Sequence, residues 1–159
     1  MKGRVSAAAG RLQSPDLYDA DFFEWTRRTA QLLREKRFRE IDVEHTAEEI
    51  EDMGKRDLKE LNSRVQVLLA HLLKWKLQPS KRSLRLLSWR RTIGVQRLEI
   101  EALLEQSPSL GTRLSDDLLR NYARARKRAV LDTNLPAQTF PPQCPFSLDQ
   151  VLDEEFLPD

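Results

Sequence analysis

The sequence predicts an all-α protein: an antiparallel bundle of about four main helices, one of them long and central, with an irregular proline-rich C-terminal segment packed across it. Three observations predict this. Apolar residues recur at steps of three or four between Val43 and Trp75, the α-helical period held for about nine turns. Only five glycines occur, and no Asn-Gly or Asp-Gly pair, so the tight turns of a hairpin-rich β protein are missing. Five of the eight prolines fall between Leu135 and Asp159, which excludes a long helix there.

Each element has a local reason. Residues 1–16 read as a flexible leader: MKGRVSAAAGRLQSP has charge and alanines but no leucine-rich stretch before a cleavage site. Residues 17–134 are expected to form the bundle, and 135–159 an extended strap with a short helix, part of the same domain. Asp21 is placed to cap a first helix carrying Phe22, Phe23, Trp25, Ala30, Leu32 and Leu33 and running to Phe38. Asp42 caps the long helix, whose ridge is Val43, Ala47, Ile50, Gly54, Leu58, Leu61, Val65, Leu68, Leu72 and Trp75. The phase passes through Gly54 unchanged, which favours one helix of roughly 50 Å, bent there or open to a close neighbour, over two separate helices. The ridge is expected to seed the hydrophobic interior.

Gln78–Ser83 reads as a connection. Leu86, Trp89, Ile93, Gln96, Ile100, Leu103 and Leu104 mark the next helix, and Ser107-Pro108 reads as cap and first residue of another that reaches about Leu131. After Ser147 a turn or two of helix is expected. Phe140, Phe146, Leu148, Val151, Leu152 and Phe156 are too apolar for a free tail, so the strap should lie on the bundle.

Charge is polarised. Glu40–Glu60 holds nine acids against three bases, and Lys74–Leu98 holds eight bases and no acid, within a net charge of +2. Glu44, Glu48 and Asp52 stack at four-residue spacing, and like charges so placed repel by roughly 0.2–0.5 kcal/mol per pair. No run of 18 apolar residues exists, so no membrane span is expected. The single cysteine, Cys144, has no partner for an internal disulfide, which suits a reducing cytoplasm.

The strings DLYDADFFEWTRRTAQLLREKRF, EEIEDMGKRDLKEL, LLAHLLKWKLQP, SWRRTIGVQRLEIEALLEQSPSL and FPPQCPFSLDQVLDEEFLP occur in this order. Together they resemble the bacterial "domain of unknown function 29" family from about Leu17 to Pro158. The resemblance implies a helical, soluble, prokaryotic protein and carries over no catalytic residue.

Three constellations could carry chemistry. His45, Glu48, Glu49 and His71 are candidate metal ligands, although a complete pair of Glu-x-x-His motifs is missing. His71, Lys74, Arg82, Ser88 and Arg90 are candidates for holding a phosphate or carboxylate, with Arg82 as a bidentate fork and Ser88 as a helix N-cap. The basic run, with Arg120, Arg124, Arg126, Lys127 and Arg128, could follow a nucleic-acid backbone, as in a small toxin–antitoxin regulator. Against that, no recognition-helix, zinc-finger or RNA-recognition signature appears. Nor does any Gly-rich phosphate loop or catalytic triad. Trp75 and Trp89 are expected as core anchors. The reading that follows is a non-enzymatic module for protein interaction or self-association, with no cofactor. An enzyme or metal- or anion-binding protein is the alternative.

Overall fold

A computed structural model describes the backbone of residues 14–159 and the side chains of 17–81 and 85–159. Residues 1–13 of the expected leader lie outside the described residues, and Ser14 already belongs to a helix. The described residues form helices, short 3-10 turns and loops, with no strand among them. Two compact units divide the chain, Met1–Gly54 and Lys55–Asp159.

In the first unit, α1 (Ser14–Ala20) precedes the helix read from the sequence. Asp21 then caps α2 (Phe22–Arg34), its carboxylate accepting from the Glu24 N–H at 3.0 Å. The helix stops short of Phe38 because Lys36 takes a left-handed conformation, φ 58°. That turn sends the Arg37 N–H back to the Leu32 carbonyl at 2.9 Å, which satisfies an otherwise orphaned acceptor. Phe38–Glu40 form a 3-10 turn instead.

The long helix α3 runs unbroken from Val43 to Leu77, through Gly54. Among the described residues nothing lies within 4 Å of where a Cβ on Gly54 would sit, so this glycine admits no close neighbour among them. One expectation needs correction. The ridge is not buried along its whole length: Leu61, Val65, Leu68, Leu72 and Trp75 are core, whereas Val43 and Ile50 stand exposed. Its first turns carry isolated apolar residues among many carboxylates, too few to assemble a continuous core.

In the second unit, α4 (Pro79–Gln106) follows α3 with only Gln78 between them. The connection expected over Gln78–Ser83 is therefore helix from Pro79 on. Proline at the first helical position needs no N–H partner and has φ already set, so the reversal requires a single residue. The next helix also starts later than expected. Ser107 ends α4, its N–H bonded to the Leu103 carbonyl, and Pro108 lies in the turn before α5 (Leu110–Thr133). The order of contacts gives the topology. Arg64 meets Glu99 across α3 and α4, and Asn62 and Lys74 meet Asn121 and Asp132 on α5. The three helices thus run up, down and up.

Residues 135–159 lie on this bundle. Phe140, Phe146 and Val151 are buried in one cluster with Trp75, Trp89, Leu114, Tyr122 and Ala129. Tyr122 donates to the Pro141 carbonyl at 2.6 Å, and Arg126 donates to the carbonyls of Ala137 and Phe140. Ser147 and Gln150 form a reciprocal capping box on α6 (Leu148–Leu152). Prolines remove donors from this segment, so its carbonyls take hydrogens from side chains rather than from a helical ladder.

Candidate functional site

The first histidine belongs to a cap. Asp42 Oδ1 accepts from the His45 N–H at 3.3 Å, while Oδ2 accepts from His45 Nδ1 at 2.6 Å. That bond holds the imidazolium above its ordinary pKa. The Tyr18 ring stacks on the imidazole, centroids 4.0 Å apart and planes 17° from parallel. Its hydroxyl donates to Glu49 Oε1 at 2.8 Å, which pushes the phenol up to about 12. Phe22 and Trp25 extend the aromatic group from α2. Trp25 is buried, and its Nε1 has no hydrogen-bond partner among the described residues.

Of the candidate metal ligands, His45 is thus engaged by Asp42 and Glu49 by Tyr18; Glu48 is exposed, and His71 belongs to the second unit. No group of three or more His, Cys, Asp or Glu suited to a metal ion occurs among the described residues.

The second histidine sits on the inner half of α3. His71 Nδ1 donates to the Val67 carbonyl at 2.9 Å, and its Nε2 lies 3.4 Å from Lys74 Nζ. Burial pushes its pKa down. Lys74 is itself buried and paired with Asp132 at 2.8 Å. His71 and Lys74 come together with a carboxylate already between α3 and α5. Arg82's side chain lies outside the described residues. Ser88 caps nothing: it is internal to α4, and its carbonyl accepts from Thr92 Oγ1 at 3.0 Å. The expectation of a helix start there failed with the loop on which it depended. Arg90 is exposed beside a cleft of about 230 Å³ lined with Arg97, Glu154 and Glu155.

Two polar residues that matter structurally escaped the sequence reading. Arg97 is only 4% exposed, and its guanidinium spans the backbone of the strap. Nε donates to Val151 O at 2.9 Å, Nη1 to Glu154 O at 3.1 Å, and Nη2 to Phe156 O at 2.9 Å and Gln150 O at 3.4 Å. Its signal was available: Trp89, Ile93, Arg97, Ile100 and Leu104 share the inward phase of α4. Asn121 is fully buried, and its amide donates to Asn62 and accepts from Gln66. Asn62 also donates to Asp117. Cys144 donates from Sγ to the Phe146 carbonyl, and burial raises its pKa, so the thiol form is favoured.

The remaining feature is apolar surface. On α4, Leu87 is 83% exposed, Leu98 58% and Val95 42%, all opposite the buried line of Trp89, Ile93 and Ile100. On α3, Val43, Ile50 and Met53 are exposed. No helix among the described residues is long and apolar enough to cross a membrane.

The family model described as "Domain of unknown function DUF29" matches residues 17–157. The chain belongs to this family. The DUF29 match spans both compact units and the strap, so the whole described helical arrangement, beyond the first few residues of α1 and the last of the strap, lies inside it. No curated protein and no solved structure matches the chain.

Proposed function

We propose that this DUF29 protein is a non-enzymatic helical module that works by self-association. One observation carries the reading: α4 is apolar on two opposite sides, and only one of them is used by the fold. A helix serving a single core needs one apolar stripe. Leu87, Val95 and Leu98 form a second, facing water. Singly exposed leucines are ordinary on protein surfaces, but aligned ones rimmed by charge mark contact sites. The engaged state of the candidate ligands supports the same reading, since His45, Glu49, His71 and Lys74 each already hold a partner within the chain. A second copy is the simplest occupant, because a two-fold contact uses one surface twice.

Analytical ultracentrifugation of the full chain, from low micromolar to near-millimolar concentration, tests this. The expected result is a reversible monomer–dimer equilibrium. A sedimentation coefficient that stays at the monomer value throughout removes the reading.

A further inference from the structure

We infer that two copies of this chain pair through α4, antiparallel, with Leu98 at the two-fold axis; this rests on the self-association proposed above and names its surface. The outer line of α4 is Leu87, Arg91, Gly94, Val95, Leu98, Ala102 and Glu105, a helical succession of threes and fours. Its stretch from Arg91 to Glu105, Val95 apart, is symmetric about Leu98 in a way that matters only when the helix meets itself reversed; Leu87 has no mirror position within α4. Gly94 and Ala102 lie four residues to either side of Leu98, and Arg91 and Glu105 lie seven to either side. In an antiparallel pair, a residue before the axis faces its mirror position after the axis on the other copy. Leu98 then meets Leu98, Gly94 meets Ala102, and Arg91 meets Glu105, each heterologous contact made twice.

Each pairing suits its chemistry. Leu98 and Val95 supply exposed apolar surface. Among the described residues nothing lies within 4 Å of a Cβ on Gly94, which borders the cleft toward Glu154 and Glu155, and small residues at Gly94 and Ala102 let two backbones approach closely. Arg91 and Glu105 are both exposed, and neither forms an ion pair among the described residues. They are about 21 Å apart along the helix at 1.5 Å per residue, too far to pair within one chain.

The wider charge pattern selects the same orientation. From Lys81 to Arg97 the helix carries bases and no acid; from Leu98 to Gln106 it carries Glu99, Glu101 and Glu105 and no base. A parallel pair would align like with like, whereas in the antiparallel pair the overlapping turns, residues 90–106, set the basic Arg90 and Arg91 of one copy beside the acidic end of the other; Lys81 and Arg85 lie beyond the overlap. The same rule disfavours a homotypic contact through the open turns of α3. There Glu44 and Glu48 flank Val43 and Ile50, and an identical copy would bring carboxylates to carboxylates.

Sedimentation equilibrium on the full chain and four variants tests the pairing: Arg91→Glu, Glu105→Arg, the two exchanged together, and Leu98→Glu. All three positions are exposed, and circular dichroism checks that each variant keeps its helix content. Each single reversal should weaken dimerisation about tenfold or more, and the double exchange should restore it to within about threefold of the wild type. Leu98→Glu should sediment as a monomer. Raised salt should weaken the wild-type dimer through screening. A dimer indifferent to Leu98→Glu, or a double exchange no tighter than either single reversal, overturns the α4 pairing and leaves self-association standing. A wild-type chain that never leaves the monomer overturns both.

Discussion

His45 and His71 start from the same intrinsic basicity and are moved in opposite directions by their surroundings. The Asp42 carboxylate, hydrogen-bonded to Nδ1, favours the charged form of His45. Burial disfavours the charged form of His71, with Lys74 beside it adding to the effect. Both ordinary values lie near 6.5, so the two rings should titrate on either side of about that pH. Linkage then fixes opposite signs. What His45 contributes to folding is present below its unfolded pKa and is lost as pH rises through its higher folded value. What His71 contributes is present above its unfolded pKa and is lost as pH falls through its lower folded value. Ring-proton NMR across pH 4 to 9, about the range where imidazoles titrate, measures both. Assignment of the higher pKa to His71 would contradict the two hydrogen-bond environments. These settings show what a sequence discloses about single residues. The caps at Asp21 and Asp42 were legible because their partners lie three residues on. Arg97 and Asn121 were not, because their partners lie more than fifty residues away in the chain.

Between elements, that long-range residue is the fastening. The strap has little regular structure of its own, and Arg97 gathers four of its carbonyls around one guanidinium on α4. Burying a guanidinium is tolerable only when its donors are satisfied, and here Gln150, Val151, Glu154 and Phe156 satisfy them. Arg97→Ala leaves those carbonyls without a donor and opens a space beneath α6. It should cost about 3 kcal/mol in urea unfolding. Arg97→Lys should recover little, since one ammonium cannot span the fork that Nε, Nη1 and Nη2 make. Limited proteolysis should cut near residues 150–157 sooner in both variants. Unchanged stability together with unchanged cleavage would show that apolar packing by Phe140, Phe146 and Val151 suffices to hold the strap. Periodicity disclosed the helices themselves but left their limits open. α4 begins at Pro79, because a proline that usually signals an ending sits equally well at a first turn. The α3 ridge kept one phase throughout, yet period alone does not say which turns find a partner.

At the scale of the whole molecule, self-association and stability become one measurement. Anything that binds the folded form and not the unfolded one stabilises it by mass action. If the partner is a second copy, the folded state must gain stability as the protein is concentrated. A rise from well below the dimer dissociation constant to a hundred times above it adds about 1.6 kcal/mol per chain, since the free monomer is itself depleted by pairing. For a chain of this size that raises the unfolding midpoint by about 3–6 °C. Calorimetry at two concentrations therefore reads the equilibrium without labels. Leu98→Glu is the matched control: Leu98 is exposed, so its replacement should leave the dilute-limit midpoint within about 2 °C of wild type. The midpoint of that variant should then stay fixed as concentration rises. A wild-type midpoint that also stays fixed would mean that α4's outer stripe finds no copy of itself in solution. Shifts of equal size in both proteins would place the contact on some surface other than α4.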